Sequence, residues 1–265
     1  METPEIDVLD MPSDASLIHR VYENLVTAIY KVELAPGDSF IDLGANVGHH
    51  TWQMANAVGA DGQGFAIEPV PDFAERVRRV LQNKSIEWVD VVNVAASDYE
   101  GECSFFVQPD HIGWSSMFSD HAHPADDPDS SKEITVPVSR LDDAVLPRDG
   151  SRLSVIKVDV ENAEFAALRG TEALIRKHRP SIVFENNPRG AANRAEYSVA
   201  EFFDFFGAMD YHLWSLPGEE ITGAEQWADS ASSYYLAAPN GFESGAQYIE
   251  HYQLQEVVDR LAADA

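Results

Sequence analysis

The first feature of this chain with chemical meaning is a carboxylate that closes a short apolar run twenty residues after a glycine-bearing turn. The turn is Asp42-Leu43-Gly44-Ala45-Asn46-Val47-Gly48, running into His49-His50-Thr51 at the start of a helical pattern, and the carboxylate is Glu68. Glycines at a strand-to-helix turn allow unusual backbone angles and close ligand approach, and the free N–H groups at the helix start attract an anionic or carboxylate moiety. Glu68, at the end of the next strand, is placed to accept hydrogen bonds from both ribose hydroxyls of an adenosine. A dinucleotide site would carry a middle glycine for the pyrophosphate, and here Ala45, Asn46 and Val47 separate Gly44 from Gly48. The turn therefore suits S-adenosylmethionine, which has no phosphate, with Asp42 holding its ammonium directly or through water. Asp98, in the Ser97-Asp98 turn, is read either as an acceptor for the adenine amino group or as a turn residue.

A second group of acids follows. Asp159 ends the apolar run Leu153 to Val160, Glu161 and Glu164 come next, and Glu185 ends the run Ser181 to Asn186. Carboxylates at the ends of adjacent parallel strands converge on the crevice where such sheets bind ligands. Asp159 and Glu185 are thus the candidates for a general base with raised pKa. A divalent cation held by several of these acids is compatible with the pattern, but no metal site is expected from it. Glu161 and Glu164 also suit the first turn of a helix, which favours negative charge. His111, with Trp114, Ser115 and Ser116, is a further candidate base in a polar stretch, and His121-Ala122-His123 is a weak metal pair that reads more readily as surface histidine. His49 and His50 face either the methyl donor or the helix surface. Lys157 alternates with apolar neighbours inside its strand and needs an acidic partner there. Trp214, Trp227, Tyr234 and Tyr235 read as core rather than as a sugar platform.

These residues require strands that alternate with helices. Ser39 to Gly44, Gln63 to Pro69, Trp88 to Ser97, Leu153 to Val160 and Ser181 to Asn186 read as five strands, with YHLWSL and SSYYLAAP as a sixth and seventh. Helical spacing runs through SLIHRVYENLVTAIYKVEL, DFAERVRRVLQN and EFAALRGTEALIRKH, and a last helix from Gly245 carries Tyr248, Tyr252, Val257 and Leu261 on one face. Strands alternating with helices imply a parallel sheet with crossover helices. Between the third and fourth strands the alternation in CSFFVQ and ITVPVSRL predicts two short antiparallel strands flanking a polar loop, an insertion of a length that is usually functional.

Composition narrows the class. The 265 residues, 45% of them hydrophobic, suffice for one domain over 1–265, with 1–37 as an N-terminal helical extension, 99–143 as inserted strands and loop, and 187–265 shaping an acceptor site. The net charge is −27, which disfavours nucleic acid as a partner because phosphates need a basic face. No apolar run is long enough to span a bilayer and the N-terminus lacks a signal-peptide pattern, so a cytoplasmic location is expected. The single Cys103 has no partner for a disulfide or a cysteine metal cluster and reads as a small strand residue.

Taken in order and spacing, FIDLGANVGHHT, AIEPVP, NVAASD, SRLDD, IKVDVENAEFAALRG and RPSIVFEN closely resemble the FkbM family of S-adenosylmethionine-dependent methyltransferases. The resemblance covers about Phe40 to Asn186. It implies an α/β, Rossmann-like seven-stranded methyltransferase fold, with a mostly parallel sheet, helices on both faces and a β-hairpin-like insertion between strands 3 and 4. It also implies O-methylation of a sugar, glycan, lipid or natural product. It matches Asp42, Gly44, Asn46 and Gly48 to the cofactor loop, Glu68 to the ribose and Ser97-Asp98 to the adenine side. Ser115-Ser116 falls in the region where the family often has a serine before the returning strand, consistent with a cofactor or acceptor contact there. The chain departs from the family at Asn162, where glycine is usual; Asn tolerates left-handed backbone angles better than most residues. Two other classes remain to be weighed: a non-catalytic binder of S-adenosylmethionine or another nucleoside, and an NAD-dependent oxidoreductase.

The charge itself is testable. Repulsion among the acids weakens with salt as the Debye length falls to about 3 Å at molar ionic strength. The melting temperature is predicted to rise with KCl into the molar range, which a thermal melt series in KCl measures directly.

Overall fold

The computed structural model describes residues 17–120, 131–243 and 245–257. In chain order its elements begin with helix α1 (Leu17–Glu33), β1 (Ser39–Leu43), α2 (His49–Val58), β2 (Gln63–Ile67), α3 (Pro71–Asn83) and β3 (Val89–Val92). A small second sheet then takes β4 (Ala95–Ala96), β5 (Gly101–Val107) and β6 (Lys132–Ser139). The chain returns through α4 (Leu141–Ala144) to β7 (Leu153–Val158), α5 (Glu164–Arg169), α6 (Glu172–His178) and β8 (Ser181–Glu185). It continues with α7 (Pro188–Arg194), α8 (Val199–Gly207), β9 (His212–Ser215), β10 (Glu220–Ile221), α9 (Ala224–Ala228), β11 (Tyr234–Ala238) and α10 (Gly245–His251).

The main sheet has the order β10-β9-β11-β8-β7-β1-β2-β3. Its centre, β3 through β8, is parallel, while β11 runs antiparallel to both β8 and β9. Neighbouring residues along each central strand serve opposite faces, as the two-residue period of a strand demands. Phe40, Val155, Val183 and Leu236 pack with α1, α2 and α10 on one side. Ile41, Ile156, Ile182 and Tyr235 pack with α5, α6, α8 and α9 on the other. Strands covered on both faces read as continuous apolar runs, and for that reason β1, β7 and β8 were legible in sequence. The predicted antiparallel pair in the insertion forms as β5 and β6, paired from Gly101↔Val138 to Val107↔Lys132.

Three elements differ from the sequence expectation. The run Trp88 to Ser97 is two strands: β3 stays in the main sheet, and the chain breaks at Asn93, whose side-chain amide donates to the backbone oxygens of Glu68 and Pro69. Beyond it β4 pairs with β6 in the second sheet. The segment 164–178 is two helices rather than one, interrupted at Gly170–Thr171; there Gly170 abuts the turn after β4 so closely that a Cβ would lie 1.9 Å from the Ser97 carbonyl oxygen. Finally, β10 adds an eighth strand at the edge, antiparallel to β9. The last helix ends at His251, with Tyr248, Tyr252 and Val257 buried; Leu261 lies outside the described residues, as do His121 and His123.

Gly170 has an ordinary helical φ of −72°, so its constraint is the contact and not the backbone angle. Gly170→Ala is predicted to destabilise the fold by about 1–3 kcal/mol through overpacking against a backbone carbonyl, measured as a lowered urea midpoint with unchanged slope.

Candidate active site

The first turn is built as its residues suggest, for reasons that differ by position. Gly44, Asn46 and Gly48 have positive φ of 75°, 50° and 87°. Gly44 is doubly required, since a Cβ there would lie 1.8 Å from the backbone oxygen of Asp159; its role is to let the end of β1 pass against the end of β7. Glu68, buried at the end of β2, accepts from the backbone N–H groups of Asn46 (2.8 Å) and Val70 (2.9 Å). Burial raises its carboxyl to about 8, while those two N–H groups pull it down. The buried Asn46 Oδ1 has no hydrogen-bond partner among the described residues.

Asp42 is fully buried. Thr51 Oγ1 donates to its Oδ2 at 2.5 Å, and its Oδ1 lies 3.7 Å from Lys157 Nζ. Lys157 also reaches Asp159 Oδ2 at 3.2 Å, so the acidic partner its buried position demands is in fact two. Burial works against its charge, but Asp159 and Asp42 outweigh it and hold the ammonium above its ordinary pKa.

At the ends of β7 and β8 the second group of acids comes together. Asp159, Glu161 and Glu185 each place a carboxylate oxygen within 4.8 Å of the others. Burial, then Asp159 and Glu185, push Glu161 well above the usual carboxylate range; burial, then Asp159 and Glu164, do the same to Glu185. Carboxylates this close and this shielded do not all ionise together, so protons are shared among them. The spacing would also accommodate a divalent cation. Tyr234, the register partner of Glu185 on β11, lies within hydrogen-bonding reach of it. The expectation that Tyr234 is core is therefore only half of its role: the ring is buried and the hydroxyl serves the acid.

The backbone that carries these acids is unusual. Glu161 and Asn162 both have positive φ, 54° and 78°, so asparagine adopts the left-handed turn that glycine would otherwise supply. Two hydrogen bonds hold it: Ser116 Oγ donates to the Glu161 carbonyl oxygen (2.8 Å), and the Asn162 N–H donates to Glu164 Oε1 (3.0 Å). Glu164 Oε2 accepts from Asn186 Nδ2 at 3.0 Å. Glu164 is thus a bracket between the turn and the end of β8, which agrees with its helix-start reading.

The remaining candidates spread around this centre. Ser97 is buried, and Asp98 forms an ion pair with Arg169, whose guanidinium stacks on Phe165 at 4.8 Å. Ser115 Oγ accepts from the Gln108 N–H (3.1 Å) and closes the inserted loop, so its neighbour Ser116 is the residue that touches the acidic turn. His111 heads the short 3₁₀ turn Ile112–Trp114 in the same loop. His50 is buried against α1, with Nε2 2.8 Å from Glu23 Oε2 and Nδ1 3.3 Å from the Tyr30 hydroxyl, while His49 is held below its ordinary pKa by burial and by His50. Sequence reasoning missed Glu23 and the hydroxyl role of Tyr234 because their partners are far along the chain, and local pattern gives no signal for either.

These features fit S-adenosylmethionine better than a dinucleotide. A buried carboxylate closes β2, a cluster of acids stands at the ends of β7 and β8, and Lys157 beside it is already committed to Asp42 and Asp159. A pyrophosphate would meet net negative charge there.

The strand order, with the last strand β11 inserted antiparallel between β8 and β9 and a carboxylate at the end of β2, defines a Rossmann-like α/β methyltransferase fold. The profile of the family described as "Methyltransferase FkbM domain" matches residues 42–213, more than half of the chain. The chain belongs to that family of S-adenosylmethionine-dependent methyltransferases. It is 26% identical over 201 residues to the 31-O-demethyl-FK506 methyltransferase FkbM of Streptomyces tacrolimicus, spanning 63% of this chain and 76% of that protein. It is 27% identical over 173 residues to Methyltransferase 1 of Beauveria bassiana, spanning 60% of this chain and 68% of the other. Among solved structures, the O-methyltransferase TomG of Streptomyces achromogenes in complex with SAM is 16% identical, covering 88% of this chain and 93% of that one at a TM-score of 0.48. No helix among the described residues is long and apolar enough to cross a membrane.

Burial raises the Glu164 carboxyl from 4.5 to about 7, against the pull of Asn186. A carboxyl whose pKa is higher in the folded than in the unfolded protein stabilises the fold while protonated; that contribution is lost as pH rises from about 4.5 through about 7. Glu164→Gln stays neutral throughout. Over that window the loss of unfolding free energy is predicted to be smaller in the variant by up to about 3 kcal/mol, read from urea melts of both proteins at constant KCl.

Proposed function

We propose that this methyltransferase methylates a hydroxyl oxygen of a small molecule or glycan acceptor, of the sugar, glycan, lipid or natural-product kind. The observation that carries the reading is the convergence of Asp159 and Glu185 at the ends of adjacent strands, in the crevice beyond Glu68. S-adenosylmethionine supplies a methyl group on a sulfonium, which an oxygen nucleophile displaces in line: a C–O bond forms, the C–S bond breaks, and a neutral thioether leaves. Glu68 accepts from the ribose hydroxyls, while Gly44, Asn46 and Gly48 shape the turn beneath the aminoacyl end. Ser97 and Asp98 stand on the adenine side.

The acceptor proton goes to a carboxylate of the Asp159–Glu185 pair. Glu185, raised by burial and by its acidic neighbours, binds a proton more tightly than an ordinary carboxylate and so suits a weakly acidic hydroxyl. Tyr234 orients Glu185, and Lys157 orients Asp159. In the ternary complex these carboxylates face a cation, which offsets their mutual repulsion. Ser115, His111 and Trp114, in the inserted loop, and residues 187–265, through Tyr234 and the Arg194–Asp120 ion pair to that loop, form the acceptor side. The relative named for 31-O-demethyl-FK506 supports an oxygen acceptor. A cytoplasm rich in salt accords with the net charge of −27.

Calorimetric titration in molar KCl is expected to give micromolar binding of S-adenosylmethionine and S-adenosylhomocysteine and none of NAD; binding of NAD alone would overturn the assignment. With an acceptor from a hydroxyl-compound screen, Glu185→Gln and Asp159→Asn are predicted to lower turnover, the base among them by about 10²–10⁴-fold, with S-adenosylhomocysteine affinity retained. Full turnover in both variants would remove the base from this pair.

A further inference from the structure

The family match begins at residue 42, yet α1, which precedes it, reaches the ends of the central strands through Tyr22 and Glu23. It packs along one face of the sheet and turns through Ala35 to Asp38 into the start of β1, so its N-terminal half lies at the carboxyl ends of the strands. Tyr22 stacks on Tyr234 at 5.0 Å, which fixes that end of the helix beside Glu185. One residue on, Glu23 reaches across to His50, in the first turn of α2.

Resting on the cofactor reading above, the layout divides the three substituents of a bound sulfonium. The ribose goes to Glu68 at β2, and the methyl must point to Asp159 and Glu185 at β7 and β8. The aminoacyl group is left with the space over the end of β1 and the start of α2. Its carboxylate is matched by the N–H groups after Gly48. Its ammonium needs an anion, and Asp42, the sequence candidate, has no exposed surface and is turned inward to Thr51 and Lys157.

We propose that Glu23 of α1, oriented by His50, is the anion that binds the α-ammonium of the cofactor. A continuous run of hydrogen-bonding groups lies behind it. Thr27 Oγ1 lies 3.1 Å from the Tyr30 hydroxyl, and that hydroxyl lies 3.3 Å from His50 Nδ1. With Nε2 2.8 Å from Glu23 Oε2, this run fixes the imidazole and through it the orientation of the carboxylate. The Glu23 side chain is 13% exposed, enough to meet a ligand and shielded enough for the contact to count. The segment that precedes the shared domain therefore completes the cofactor site.

Glu23→Gln keeps an acceptor for His50 Nε2–H and removes only the charge. The probes are S-adenosylhomocysteine and 5′-methylthioadenosine, which share the nucleoside and the thioether and differ in the aminoacyl group. Calorimetry in molar KCl is expected to show S-adenosylhomocysteine weakened about tenfold or more in the variant, with methylthioadenosine unchanged. Equal weakening of both ligands, or of neither, would overturn the proposal while leaving the cofactor assignment in place. Failure of both to bind the unaltered protein would overturn that assignment and this proposal with it. Retained methylthioadenosine binding also serves as the check that the variant is folded.

Discussion

The ammonium of Lys157 is the contact on which the geometry of the crevice depends. It is buried in the middle of the sheet between Asp42 on β1 and Asp159 at the end of β7, and it ties together the two strand ends where the cofactor turn and the acidic turn begin. Losing one member of such a buried group leaves an uncompensated charge and costs about 3–5 kcal/mol. The close approach of the Asp159 carbonyl to Gly44 follows from the same juxtaposition. Hence the glycine of the first motif and the lysine of the second are parts of one constraint, although more than a hundred residues separate them.

That one cation is set against three clustered carboxylates and a fourth, Glu164, behind them. Such an imbalance opposes folding. It is held by a backbone turn that is itself costly, with Glu161 and Asn162 both at positive φ, each such residue adding about 1–3 kcal/mol. Hydrogen bonds from Ser116 and to Glu164 secure that turn from two sides. A sequence free to maximise stability would place apolar residues there. The arrangement makes sense where a cationic ligand restores the balance, which is the condition that the sulfonium of the proposed reaction meets.

Much of this was legible in sequence, because the central strands are covered on both faces and so write themselves as apolar runs ended by a charged residue. Glu68, Asp159 and Glu185 could be located in that way, and parallel strand order then made Asp159 and Glu185 neighbours. Other features were not legible, for a common reason. The break at Asn93 depends on its amide reaching the backbone of Glu68, the need for glycine at position 170 on the Ser97 carbonyl, and the placement of Tyr234 on its register with Glu185. Each depends on a partner twenty or more residues away, and local periodicity carries no information about it. The histidines show the same limit: position alone left His50 between ligand and surface, whereas the fold buries it against α1.

The second sheet and α1 approach the strand ends from opposite sides. The inserted loop touches the acidic turn through Ser116 and the α7 region through the Asp120–Arg194 pair, while α1 reaches the opposite rim through Tyr22 and Glu23. Between these rims the sheet brings together Glu68 at the end of β2, Lys157 braced between Asp42 and Asp159, and the clustered carboxylates of Asp159, Glu161 and Glu185. Those groups lie on strands whose positions are fixed by burial on both faces, and they tolerate little change. Around the crevice itself the rims meet that centre through individual contacts, although α1 is anchored behind it by its buried apolar face of Leu25, Val26, Ile29 and Leu34. On the proposed reading, selection among acceptors falls to the insertion and the C-terminal segment, and the chemistry to the ends of β1, β2, β7 and β8.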